Sequence, residues 1–266
     1  MLSRRFAFLD HPGPLAFAHR GGAAEGAENS AAAFERAVRL GYTYLETDAR
    51  ATADGVLLAF HDPTLDRVTD RRGRVSELPY REAARARIGG EHEIPLLEDL
   101  LGTWPEARFN IDVKEAGAIA PLADAIRRTN AYERICLTSF SDERLLMARA
   151  ALGREVCSAL GPRGVAALRA AASTSGYGRL LARLSRAGVP CAQVPMGFRG
   201  LRVTTSRLVR TAHAIGMQVH VWTVNDPARM DRLLDLGVDG IMTDDITGLR
   251  DVLDRRGQWH PGRMAA

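Results

Sequence analysis

The run Leu15-Ala16-Phe17-Ala18-His19-Arg20-Gly21-Gly22 sets the reading of the chain around it. Four apolar residues give way at once to a histidine, an arginine and two glycines, the pattern of a buried strand that delivers polar groups to its carboxyl end and then turns sharply. The pattern returns twice before residue 63. Tyr44-Leu45-Glu46-Thr47-Asp48 carries two carboxylates two positions apart, hence on one face of a strand. Val56-Leu57-Leu58-Ala59-Phe60 then ends in His61-Asp62. Only seven residues, 49–55, lie between Asp48 and Val56. A parallel crossover needs about a dozen or more, so the link predicts a hairpin that closes through Asp54-Gly55. A turn centred near Asp54 sets His61 opposite Thr47, level with both acids. An imidazole beside carboxylates is the raw material of metal-assisted acid/base chemistry.

Outward from this stretch, strands and helices alternate. After Ser30 or Asn29 as cap, residues Ala31 to Leu40 predict a helix that Gly41 ends. From Arg108 the order is regular. Strands are expected at Phe109 to Val113, Arg134 to Leu137, Val156 to Leu160, Cys191 to Val194, Gln218 to Val224 and Gly240 to Thr243. Helices are expected at Pro121 to Arg128, Asp142 to Leu152, through 162–187, Ser206 to Ile215 and Pro227 to Leu236. Without the returning strand of the hairpin, eight strands remain, which predicts an α/β protein built as a (β/α)8 TIM barrel. An open doubly wound sheet competes, but no Gly-x-Gly-x-x-Gly follows the first strand. Residues 1–266 suit one domain, with 62–107 as a small insertion after the His61-Asp62 hairpin, overhanging the barrel mouth. Barrel enzymes carry their chemistry at strand carboxyl ends. His19-Arg20, Glu46-Asp48, Asp112-Lys114, Ser139, Gln193, Trp222 with Asn225, and Asp244 all fall there.

The net charge is +4, but the cations are dispersed along the chain, so composition argues against a nucleic-acid partner. Of 36 Lys plus Arg, only Lys114 is lysine. A compact ammonium differs from a planar guanidinium where one charge must fit, which singles out the place after Asp112. No apolar run is long enough to span a membrane, and the amino-terminal one is too short for a secretory signal, so the expected location is the cytoplasm. Cys136, Cys157 and Cys191 are odd in number and each lies in or beside an apolar run, the pattern of buried free thiols. Glu46, Asp48 and Asp112 are acids inside apolar strands, and buried acids need a compensating cation. Arg20, Arg50 or Lys114 could serve, but three acids exceed one or two cations. One divalent cation removes the excess, and an all-oxygen donor set favours Mg²⁺ or Ca²⁺.

His19-Arg20-Gly21, Glu28-Asn29-Ser30, Glu46-x-Asp48, Asp54-Gly55 and His61-Asp62 together resemble the signature of the glycerophosphodiester phosphodiesterases. Arg67-Val68-Thr69, Asn110-Ile111-Asp112-Val113-Lys114, Val221-Trp222-Thr223-Val224-Asn225 and Gly237-Val238-Asp239-Gly240-Ile241-Met242-Thr243-Asp244 extend the resemblance over roughly residues 15–253. It implies a metal-dependent hydrolase that releases sn-glycerol 3-phosphate and an alcohol from a small glycerophosphodiester. On that pattern His19 and His61 are the acid/base pair, and Glu46, Asp48 and Asp112 hold the ion. Arg20 and Lys114 bind phosphate, and Trp222 faces the glycerol. The family usually has glutamate where this chain has Asp112, proline where it has Ala27 and threonine where it has Ser30. Glu115 is a conceivable substitute ligand, though on a strand it faces away from Asp112. Two other readings stand beside this one. A lysophospholipase D-like enzyme would need an apolar slot, for which Val165, Leu168, Leu180, Leu181 and Met196 are candidates. A non-catalytic phosphate- or lipid-binding barrel would predict loss of a histidine or acid, and none is lost.

Overall fold

The computed structural model describes residues 6–153, 155–173 and 188–262. Its strands are β1 (Leu15–His19), β2 (Tyr44–Ala51), β3 (Leu57–Ala59), β4 (Arg87–Ile88), β5 (His92–Glu93), β6 (Arg108–Val113), β7 (Ile135–Thr138) and β8 (Cys157–Ser158). They continue with β9 (Cys191–Pro195), β10 (Gly197–Phe198), β11 (Leu201–Arg202), β12 (Gln218–Trp222) and β13 (Gly240–Thr243). Eight of them pair side by side in the order β8-β7-β6-β2-β1-β13-β12-β9, every pair parallel. The two ends meet where Ala159, just beyond β8, bridges Cys191, and the Leu160 amide donates to the Cys191 carbonyl at 2.9 Å. The sheet is thereby a (β/α)8 TIM barrel with helices alternating along the chain.

Buried parallel strands flanked by helices are apolar on both faces. Phe109, Ile111 and Val113 of β6, and Leu137 of β7, join one core with Phe34, Leu122, Ile126 and Leu249 from the outer helices. A second cluster fills the barrel floor. Phe6, Phe8, Leu9 and Leu15 pack there with Phe17, Tyr44, Met242 and the three cysteines, all unpaired and buried. The Tyr44 hydroxyl donates to the Phe8 carbonyl at 2.8 Å, tying the amino-terminal segment under the barrel.

The hairpin forms in the expected register. Ala49 faces Ala59 and Ala51 faces Leu57, and the Phe60 amide donates to the Asp48 carbonyl at 2.9 Å. Asp54 shapes the turn: its carboxylate accepts from Thr52 Oγ1 at 2.6 Å, and Gly55 supplies φ 81°. Residues from 62 to 107 form the short helices Tyr80–Ala83 and Leu97–Thr103 and the small pair β4–β5. They pack Leu65, Val75, Ala83, Ile88 and Ile94 against Leu58 and Phe60. Several elements end earlier than expected. β12 stops at Trp222 and β8 spans only two residues, although single ladder bonds continue past each, from the Val224 amide to the Met242 carbonyl and from the Ala159 amide to the Leu137 carbonyl, both at 2.9 Å. The hairpin β10–β11 falls where no strand was expected.

Candidate active site

The chain leaves β1 through three successive left-handed residues, Arg20 (φ 50°), Gly21 (φ 82°) and Gly22 (φ 94°). The bend lets the Arg20 amide donate to Glu46 Oε2 at 3.1 Å. Gly21 is needed for space as well as for φ. A Cβ there would lie 2.8 Å from Ala33 Cβ and 2.9 Å from the Ala33 carbonyl carbon and the Phe34 nitrogen. The helix Ala31–Arg39 starts beside it, capped by Ser30 Oγ, which accepts from the Ala33 amide at 3.1 Å. Just before that cap, Asn29 donates to Asp48 Oδ2 at 2.9 Å and accepts from Thr47 at 2.8 Å. Ala27 has φ 50°, which a proline ring forbids, so this loop follows a path that the family's usual proline would not allow.

His19 and His61 each give Nδ1 to a carboxylate, His19 to Asp244 and His61 to Asp62, both at 2.6 Å. Nε2 is thereby the free nitrogen of each ring. Their electrostatics diverge. Burial alone would lower the His19 pKa, but the Glu46 charge, with Nε2 3.7 Å from Oε2, and the Asp244 hydrogen bond outweigh it and raise the value above 6.5. Burial also lowers His61, and there Lys114 and Arg20 help keep the value below 6.5 despite Asp48 and Asp62. Asp62 is itself held down to about 2, chiefly by Arg67, which grips it through Nε at 2.6 Å and Nη2 at 3.0 Å. The same guanidinium binds both oxygens of Glu28, at 2.9 and 2.6 Å, and Glu28 accepts from Arg20 at 3.0 Å.

Parallel pairing of β2 with β6 sets Glu46 beside Asn110 and Asp48 beside Asp112. All three acids are buried. Lys114 lies between the two aspartates, 2.9 Å from Asp48 Oδ1 and 2.5 Å from Asp112 Oδ2. Burial would push the Asp48 pKa up, but Lys114 and Arg20 bring it below its usual value. Asp112 keeps a raised value because burial, with Asp48's charge, exceeds what Lys114 offsets. Burial and the Asp48 charge also push Glu46 up. Arg20 Nε is 3.3 Å from Asp48 Oδ2, but too poorly aligned to count as a hydrogen bond.

Among the described residues, no three His, Cys, Asp or Glu ligand atoms of this site lie within 4.8 Å of one another; only the cysteines do so. The donor set nevertheless suits a hard divalent cation. It offers three buried carboxylates, and Asp112 Oδ1 is buried with no hydrogen-bond partner, an acceptor held ready for a positive ligand. Glu115 belongs elsewhere. It accepts from the Ala51 amide at 2.9 Å and from Arg50 at 3.3 Å, while Arg50 Nε donates to the His61 carbonyl at 2.9 Å and fixes the end of the hairpin.

His19, Arg20, Glu46, Asp48, His61, Asp112, Lys114 and Trp222 all line one cavity of about 990 Å³. Its other wall is apolar, with Leu160, Pro162, Val165, Ala166, Ala170 and Val203. Of the residues expected to form a slot, Val165 lines it. Leu168 is buried in the helix core and Met196 packs against that core, while Leu180 and Leu181 lie outside the described residues. His220 is buried against Phe17, with ring centroids 5.1 Å apart, in the barrel interior. Three hydrogen-bond partners of these side chains were not expected from the sequence. Asn29 was read only as an alternative helix cap, a place that Ser30 takes, Arg67 belongs to a motif that carried no role, and Asp244 was seen only as a strand-end acid. Asp244 also accepts from Asn225 at 2.8 Å.

Residues 19–247 match the Glycerophosphoryl diester phosphodiesterase family. The chain is 42% identical over 253 residues to "Probable glycerophosphodiester phosphodiesterase 2" of Mycobacterium tuberculosis, with 95% of each chain covered. It is 28% identical to human "Lysophospholipase D GDPD1", over 88% of this chain and 84% of that one. A phosphodiesterase from Oleispira antarctica, solved with its product sn-glycerol-3-phosphate, shares the fold with a TM-score of 0.75 at 22% identity, over 91% of this chain and 97% of that one.

Proposed function

This chain belongs to the glycerophosphoryl diester phosphodiesterase family, and on that premise we propose that it hydrolyses glycerophosphodiesters to sn-glycerol 3-phosphate and an alcohol with one divalent cation. The observation that carries the reading is that two histidines, each with Nδ1 fixed by a carboxylate, line one cavity with Lys114 and three buried acids. His61, whose pKa is lowered, is the base, and its free Nε2 takes a proton from the attacking water. His19, whose pKa is raised, is the acid. The water oxygen bonds to phosphorus, the bond from phosphorus to the leaving oxygen breaks, and His19 gives its proton to that alkoxide. Arg20 and Lys114 offer positive charge to the phosphate, and Trp222 closes the glycerol side. Glu46, Asp48 and Asp112 would hold the cation, Mg²⁺ or Ca²⁺, which supplies further positive charge to the non-bridging oxygens when bound.

Residues 1–266 act as one domain in this reading, and 62–107 is an insertion over the mouth. Support comes from Arg67, which reaches from that segment to Glu28 in the loop after β1. A cytoplasmic setting suits three unpaired buried thiols. No helix among the described residues is long and apolar enough to cross a membrane.

A second reading has its own support. The apolar wall of the cavity is the slot that a lysophospholipid's acyl chain would need. Release of sn-glycerol 3-phosphate from glycerophosphocholine, measured beside turnover of a long-chain lysophosphatidylcholine, separates the two. The first substrate should be cleaved, with the rate lost on chelation and restored by Mg²⁺ or Ca²⁺. Activity confined to the lysolipid would replace the first reading with the second, and a rate indifferent to chelator would remove the cation.

A further inference from the structure

We propose that the rim of the barrel docks on an anionic phospholipid surface, with the hairpin β10–β11 as the inserting wedge. The hairpin is short and tightly turned. Gly197 faces Arg202 and Phe198 faces Leu201, and the two turn residues, Arg199 (φ 48°) and Gly200 (φ 80°), are both left-handed. Directly opposed side chains project to the same side of a two-stranded ribbon. Phe198 and Leu201 therefore stand together, 61% and 70% exposed. Phe140, 63% exposed, is set edge-on against Trp222 with ring centroids 5.5 Å apart. These are three of the six large apolar side chains exposed among the described residues, and all three line the cavity that holds His19 and His61. Exposed apolar groups gathered at one opening mark an interaction surface, whereas scattered ones do not.

Charge selects the occupant. The hairpin reads Phe198-Arg199-Gly200-Leu201-Arg202, apolar and cationic groups interleaved. Arg199 lies over the Phe198 ring at 5.3 Å, and Arg169 Nε donates to the Arg202 carbonyl at 3.3 Å while also reaching Ser173. None of these three guanidiniums is paired with a carboxylate among the described residues. Asp142, on the helix that follows Phe140, is engaged by Arg163 at 4.0 Å. Large apolar tips with arginines beside them in the same short hairpin, none paired with a carboxylate among the described residues, complement a surface with hydrocarbon beneath and phosphate above. Such docking opens the cavity at the lipid boundary. It goes beyond the proposed hydrolysis, because it concerns where the mouth rests and not which bond is cut.

Co-sedimentation with vesicles of phosphatidylglycerol or of phosphatidylcholine tests this without reference to turnover. The wild type should bind phosphatidylglycerol and leave phosphatidylcholine largely free. Phe198→Asp/Leu201→Asp should weaken that binding at least about tenfold, and Arg199→Glu/Arg202→Glu by a similar factor. The arginine variant should keep its circular dichroism and its rate on soluble glycerophosphocholine, which shows that the fold is intact. Equal capture by both lipids, or no capture by either, would overturn the proposal. So would binding that survives loss of Phe198 and Leu201, since that is mere charge adhesion. A concentration-dependent dimer abolished by the same substitutions in analytical ultracentrifugation would also overturn it, by making a second copy the occupant.

Discussion

His19 and His61 sit at the ends of neighbouring pieces of chain, yet their surroundings push them in opposite directions. An acid must carry its proton and a base must lack one. The sign then follows: kcat/KM falls as pH drops through the lowered His61 pKa, below 6.5, and falls again as pH rises through the raised His19 pKa, above 6.5. A pH profile should therefore be bell-shaped. Asp244→Asn removes a negative charge that supports His19⁺, so the alkaline limb should move to lower pH while the acid limb stays in place. Lys114 tests shape as well as charge. It stands between Asp48 and Asp112, and removing it leaves two buried carboxylates without their shared partner, a class of change that costs about 3–5 kcal/mol. Lys114→Ala should lower the midpoint of thermal unfolding accordingly. Lys114→Arg keeps the charge but presents a planar fork where a compact group fits, and should lose most turnover with less loss of stability. A wild-type rate in Lys114→Arg would show that the position tolerates either cation. Lys114 was legible in the sequence because it was the only lysine, and the acids were legible because they interrupt apolar strands. Asp244 as the partner of His19 was not, since 225 positions separate them and only barrel closure joins β1 to β13.

The elements that hold these groups follow local rules. The hairpin was readable because so few residues between two apolar runs allow no other connection, and its observed register, Ala49 opposite Ala59 with the Phe60 amide bonded to the Asp48 carbonyl, is the one that a turn near Asp54 requires. The loop after β1 was readable only in part. Its glycines announced a turn, but the contact that makes Gly21 necessary is with the helix start at Ala33 and Phe34, a fact of packing. Gly21→Ala should displace that helix and with it the Asn29 side chain that holds Asp48 and Thr47. The expected loss is about 1–3 kcal/mol, with a larger fall in kcat/KM than in stability. Ser30→Ala removes one cap and should cost about 1 kcal/mol with little kinetic effect. Urea unfolding beside steady-state kinetics separates the two. The hairpin β10–β11 was missed because Phe198-Arg199-Gly200-Leu201-Arg202 is too short for a period to show, and its two strands pair only with each other.

Eight apolar runs of strand length, most of them followed by helix-forming sequence, made the barrel legible, while the last helix, Ile246–Arg255, was not expected; the closing contact between Ala159 and Cys191 completes the barrel. What the order of segments left hidden was the shape of the space inside its mouth. The polar half of the cavity could be listed residue by residue, because each strand delivers one or two groups to the same rim. The apolar half comes from β8's exit, the helix Pro162–Ala171 and the chain beyond β9, whose meeting depends on how the barrel curves. The account as a whole requires both imidazoles to act at that one place. The most direct test measures release of sn-glycerol 3-phosphate from glycerophosphocholine by the wild type, His19→Ala and His61→Ala, with folding checked by circular dichroism. Both variants should keep the native spectrum and lose about 10²–10⁴-fold in kcat. Retained turnover in both folded variants would contradict the account.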